Sequence, residues 1–280
     1  MKEIHTNTIK EKVAQLCKEA NYFISDDVKE ALKQGLSKEK DDLSKDVINT
    51  LLKNYEVGES EQLAVCQDTG MVVVFFEFGQ NVRIIGDDVE TAINEGVSVG
   101  YEEGYLRKSV VKDPINRSNT KDNTPAVIHY NIVPGDKLKI TVVPKGFGSE
   151  NMSALKMLKP SAGIDGIKDF VVQTVRIAGA NPCPPIVVGV GIGGTTEKAA
   201  LMSKTSLLRT IGDHHKDPYW AQVEKELLEQ INALGIGPAG FGGVTTALGV
   251  HINTYPTHIA GLPVAVNIGC HVLRHKHAYL

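Results

Sequence analysis

The segment NPCPPIVVGVGIGGTTEKAA, residues 181–200, does most to limit what this chain can fold into. From Ile186 to Gly193 every residue is apolar or glycine, and Pro184-Pro185 stands before the run. A short apolar run between turn residues reads as a buried strand, and the TTEKAALMSKTSLLR behind it reads as a helix. Loop, buried strand, glycine turn and helix in succession are parts of a mixed α/β fold.

The rest of the chain supplies matching pieces. Residues 6–55 are expected to be helical, since Ile9, Val13, Leu16, Cys17 and Ala20 recur at spacings of three and four. A strand is expected over 71–78, and a helix from Asp87 to Leu106 with two acidic residues in its first turn. AVIHYNIVPGDKLKITVV reads as two strands joined in a hairpin by Pro134-Gly135-Asp136. PKGFGSENMSALKML reads as a glycine loop running into a helix near Ser149, and further helices are expected in GIKDFVVQTVRIAGA and over 218–234. GIGPAGFGGVTTALGVHI is glycine-rich, and GLPVAVNIGCHVLR supplies a last short strand. No repeat, low-complexity tract or linker divides the chain. One mixed α/β domain over residues 1–280, helix-rich with short strands, is expected.

A formal charge of -3 and a charged share of 22% give no basic field for nucleic acid or an anionic membrane, which leaves small molecules or proteins as partners. The N-terminus is charged and amphipathic, and no segment reaches 18 uninterrupted apolar residues, so a cytoplasmic protein is expected. In such a compartment four cysteines are buried thiols, metal ligands or nucleophiles.

Cys17 lies on a helical apolar stripe and reads as core. Cys66, Cys183 and Cys270 share another setting, beside glycine, proline and polar residues in VCQDTG, NPCPP and IGCHVLR. Prolines on both sides of Cys183 stiffen its loop, and Gly269 allows close approach beside Cys270. Convergent thiols suit zinc, with His271, His275 or His277 as a fourth ligand, or an iron–sulfur cluster. Two glycine motifs compete for a ligand. Gly189, Gly191 and Gly194 have dinucleotide-fingerprint spacing but lack the acidic residue that should end a second strand, so strand–helix packing is the preferred reading. KGFGSEN, with Gly146 and Gly148 before an expected helix start, is the better anion site or else a serine-capped helix.

CQDTG, KGFGSENMSALKML, NPCPPIVVGVGIGGTTEKAA, LGIGPAGFGG and HIAGLPVAVNIGCHVLR together resemble the iron–sulfur (class I) fumarase family, in order and approximate spacing. The likeness covers nearly the whole chain and is to the α subunit of the two-subunit type. It implies a fold of the fumarase N-terminal type and a 4Fe-4S cluster on Cys66, Cys183 and Cys270, with one iron open to substrate. It also implies proton transfer by Asp68, an active-site role for His258, and dicarboxylate contacts from Gln67, Arg107 and the backbone of Gly148. One departure is Gly146-Phe147-Gly148, where the family often has three glycines.

The implied reaction is reversible hydration of fumarate to L-malate, a step of the tricarboxylic acid cycle. A threonine base and further cationic ligands are expected from a separate β subunit in a hetero-oligomer, α2β2, because this sequence ends ten residues after Cys270. The L-tartrate dehydratase α subunit is a near alternative; GSENMS is similar to the fumarase version. A non-catalytic zinc or cluster-binding module and a nucleotide oxidoreductase are the rival classes.

Overall fold

The computed structural model describes residues 2–280, a mixed α/β chain as its sequence implies. In order the elements are β1 (Lys2–His5), α1 (Thr6–Tyr22), α2 (Asp26–Lys38), α3 (Asp42–Glu61), β2 (Met71–Gly79), β3 (Val82–Ile85), α4 (Val89–Glu103), β4 (Val127–Val133), β5 (Leu138–Lys145) and α5 (Phe147–Glu150). There follow β6 (Ala154–Leu158), α6 (Gly163–Ala178), β7 (Ile186–Gly193), α7 (Thr196–Ser206), α8 (Pro218–Asn232), β8 (Ala247–Tyr255), β9 (Leu262–Gly269) and β10 (Lys276–Tyr279). Contacts gather them into two compact units. The first takes the chain through Ile24, Tyr55–Phe147 and Arg274–Leu280; the second takes Ser25–Asn54 and Gly148–Leu273.

In the first unit α1 and α4 cover a four-stranded sheet. Ile9, Val13, Leu16 and Cys17 of α1 and Ile93, Val97 and Tyr101 of α4 close on Val72, Val74 and Phe76 of β2 and on Leu138, Ile140 and Val142 of β5. Helical spacing on one side thus meets alternation on the other. Asp88 caps α4 by accepting the Thr91 N–H at 2.8 Å, as the acidic first turn suggests. The two helices touch through Gly96 and Gly100, where a β-carbon would stand 2.6 and 2.7 Å from the carbonyl oxygens of Lys10 and Ala14.

The expected hairpin is split. β4 and β5 are consecutive, yet the sheet order β10-β5-β2-β4 inserts β2 between them, antiparallel to β5 and parallel to β4. Val72–Phe76 of β2 are all buried, so that strand takes the centre, while the largely exposed β4 takes the edge.

In the second unit β7 is central to the order β6-β9-β7-β8, and all of its residues are buried. Val188, Val190 and Ile192 join Val171 and Val175 of α6 and Leu227 and Ile231 of α8 in one core. Gly189 and Gly191 receive α7: a β-carbon there would stand 2.2 Å from Ser203 O and 2.1 Å from Ala199 O. The fingerprint glycines are therefore packing positions, two of them inside the strand.

One local reading needs correction, and one strand is not read at all. Beyond Ser149 the chain makes only the four-residue α5 and then β6, which pairs antiparallel with β9; this ladder overrides the helical reading of SENMSALKML. GVTTALGVHI contains the start of β8, a strand hidden by its glycines and fixed by parallel pairing with β7. Among the described residues no helix is long and apolar enough to cross a membrane.

Candidate active site

In the first unit CQDTG lies between α3 and β2. Gly70 has φ +79, and a β-carbon there would stand 2.7 Å from Lys145 N, so only glycine fits against the end of β5. Asp68 is held at both carboxyl oxygens: Oδ1 accepts the Gly70 N–H at 3.0 Å and Oδ2 accepts the Phe147 N–H at 2.8 Å. The glycine loop thus aims its first helical amide at Asp68. The Phe147 ring does not enter the core; the residue is 46% exposed.

Three buried side chains fix the same loop from below. Tyr101 donates its hydroxyl to the carbonyls of Thr69 and Gly70, Asn123 Nδ2 donates to Gly70 O at 3.1 Å, and Arg274 donates to the carbonyls of Asp68 and Pro144. Burial pushes the Tyr101 hydroxyl far above its ordinary range, so it serves as a neutral donor. Thr69 Oγ1 donates to Arg107 O at 2.9 Å, which ties Arg107 to the Cys66–Asp68 loop. Gln67 and the Arg107 side chain are exposed, and among the described residues that guanidinium has no ion-pair partner.

In the second unit Cys183 and Cys270 are neighbours. Val187 at the start of β7 is registered with Gly269 at the end of β9, and His271 N–H donates to Cys183 O at 3.3 Å. Cys183 has φ +54, a conformation that strains a side-chain-bearing residue by about 1–3 kcal/mol and is concentrated at functional positions. Gly269 has a packing reason, since a β-carbon would stand 2.8 Å from Leu273 Cδ1. Gly148 has none: its β-carbon would make an ordinary 3.5 Å contact with Asn181 O.

His258 lies elsewhere in this unit. It is exposed in the loop before β9, its Nδ1 accepting the Ala260 N–H at 3.2 Å. Eight residues of β9 run from that end of the sheet to Cys270, about 27 Å of strand.

The cysteines divide by accessibility. Cys183 is exposed, Cys66 and Cys270 are half-buried, and Cys17 is sealed in the core, where burial pushes its thiol far above its ordinary range. Three accessible loop thiols fit the chemistry of an iron–sulfur cluster. Among the described residues no three His, Cys, Asp or Glu side chains close on a position for a single metal ion.

The profile of the family described as Fumarate hydratase (Fumerase) matches residues 10–279. The chain belongs to the fumarate hydratase family. This fumarase-family chain is 46% identical over 269 residues to the putative L(+)-tartrate dehydratase subunit alpha of Methanocaldococcus jannaschii, covering 94% of each. It is 33% identical over 273 residues to the L(+)-tartrate dehydratase subunit alpha of Escherichia coli K12, covering 96% of this chain and 89% of that one. Hydro-lyase chemistry is common to both names.

Sequence reasoning missed Tyr101, Asn123 and Arg274, which position the fumarase-family loop. Only Arg274 left a trace: a cation directly after the apolar Val272-Leu273, at a place that proves 5% exposed.

Proposed function

We propose that this chain is the α subunit of an iron–sulfur hydro-lyase that reversibly hydrates fumarate to L-malate, its site completed by a separate β subunit. The observation that carries the reading is the doubly held carboxyl group of Asp68 beside Cys66, with Arg107 tied to the same loop. Cys66, Cys183 and Cys270 would hold a 4Fe-4S cluster, which when bound supplies a Lewis-acidic iron for a carboxylate or hydroxyl oxygen. The guanidinium of Arg107 forks onto a substrate carboxylate, and the Gln67 amide and Gly148 N–H add hydrogen bonds. Each Asp68 oxygen spends one acceptor position on a backbone amide and keeps another, where it takes or gives the proton at substrate carbon. A threonine of the β subunit is the proposed partner in that transfer. The role of His258 rests on the family resemblance alone.

L-tartrate dehydration is the second reading, favoured by the names of the relatives and equally compatible with a carboxylate-binding arginine. Residues 1–280 are proposed to act as one catalytic domain in a cytoplasmic α2β2 assembly. The test is anaerobic co-purification with the β subunit, reconstitution with iron and sulfide, and EPR with and without dicarboxylate. Turnover of fumarate and malate but not L-tartrate supports the first reading, and the converse supports the second. A colourless zinc protein, or a cluster whose signal ignores dicarboxylates, refutes both, as does full turnover by this chain alone for the two-subunit part.

A further inference from the structure

β4 reads VIHYNIV and is the outer strand of its sheet, with β2 on one side and no strand on the other among the described residues. Edges that remain unpaired normally carry charge, proline or a bulge. The other edges of this chain are guarded in such ways. Lys156 stands in β6, Lys276 in β10, and Lys2 and Arg83 in the β1–β3 pair. β8 has no charge, but Glu224 accepts the Ile252 N–H at 2.8 Å and Arg209 donates to Ile252 O at 3.2 Å, so its outer backbone is engaged. β4 has none of these guards, and Val127, Tyr130 and Ile132 are 39%, 54% and 74% exposed.

Its pattern reads the same in both directions. In antiparallel pairing with an identical strand about Tyr130, Val127 meets Val133, Ile128 meets Ile132, His129 meets Asn131 and Tyr130 meets itself. Apolar opposes apolar, polar opposes polar, and no charge opposes a like charge. The faces also agree. Ile128, Tyr130 and Ile132 are registered with Val74, Phe76 and Phe78 of β2, and a two-fold axis perpendicular to the sheet keeps that face on one side in both copies.

We propose that β4 is a self-complementary edge on which a second copy of this chain docks antiparallel across a two-fold axis at Tyr130, merging two four-stranded sheets into one of eight. Pro134 directly follows the strand and limits the ladder to about 24 Å, so the strand pair is short and gives a concentration-dependent dimer. One feature opposes it: Asp88 and Glu90 act on Tyr130 electrostatically, and the axis brings both sets closer, so added salt tightens association. The proposal rests on the strand and not on the reaction, and it stands if the hydro-lyase reading fails.

Sedimentation velocity of the full chain, alone and with its β subunit, tests it together with two variants. Ile132→Lys places a charge at an exposed position on both sides of the axis and is expected to raise the dimer dissociation constant about tenfold or more with unchanged circular dichroism. Tyr130→Cys faces its own copy at a Cα separation within disulfide range and links on mild oxidation, whereas Ile128→Cys, opposite Ile132, does not. A chain monomeric at every concentration in both preparations overturns the proposal. So does a dimer indifferent to Ile132→Lys, or Ile128→Cys linking as readily as Tyr130→Cys. Amides of β4 protected from exchange only when the β subunit is added would make that subunit the occupant and equally refute self-pairing.

Discussion

Asp68→Asn keeps the size of the side chain and removes one of its two acceptors. Oδ1 receives the Gly70 N–H at 3.0 Å and Oδ2 the Phe147 N–H at 2.8 Å. A carboxamide has one oxygen, so one of these amides is left facing an NH2 group. Hydrogen bonds to carboxylates contribute about 1.5–3 kcal/mol, and Asp68 is half-buried, so water offsets part of the loss; about 1–2 kcal/mol is expected. Urea denaturation should show a lower midpoint at unchanged slope. Phe147→Pro isolates the second bond, because proline lacks the N–H and is tolerated at the first position of a helix. If Asp68 and the Phe147 amide interact as described, the double variant is less destabilised than the sum of the singles by about 1 kcal/mol. Additive singles, or an Asp68→Asn chain as stable as the parent, would refute the claim that the carboxyl group fastens the glycine loop.

Three further outcomes are expected. Iodoacetamide followed by mass spectrometry should modify Cys66, Cys183 and Cys270 in the native cluster-free chain and Cys17 only after unfolding; labelling of native Cys17 would contradict its sealed position. Gly191→Ala forces a methyl group to within 2.1 Å of Ala199 O and should cost about 3 kcal/mol or more, measured in urea, because α7 must leave its seat on β7. His251 has its pKa lowered by burial and then by Arg209, so the unfolded chain binds its proton more readily. Its contribution to stability is full above the ordinary imidazole pKa of about 6.5 and is lost as pH falls below that value; His251→Gln should flatten the slope of stability between pH 7 and 5.

How much could be read in advance depended on where the deciding interactions lie along the chain. The helical stripe from Ile9 to Cys17 and the buried runs of β2 and β7 follow from local periodicity, and each formed as expected. The pairing of β4 and β5 did not, because the strand between them in space, β2, precedes both in sequence. β6 and β8 were illegible for a related reason: one carries a helical pattern and the other is interrupted by glycine, and only their partners β9 and β7 make them strands.

The candidate site divides in the same way. Sequence by itself determined the family and the thiols, carboxyl and guanidinium on which the proposed chemistry depends, since those are matters of residue type and order. Tertiary structure decided what holds them: that the amide of Phe147 is turned onto Asp68, that Tyr101, Asn123 and Arg274 fasten the loop from beneath, and that β9 stands between His258 and Cys270. The hydrogen-bonded partners among these are separated by dozens of residues, and a bond formed across such a distance leaves no periodicity for a sequence to show.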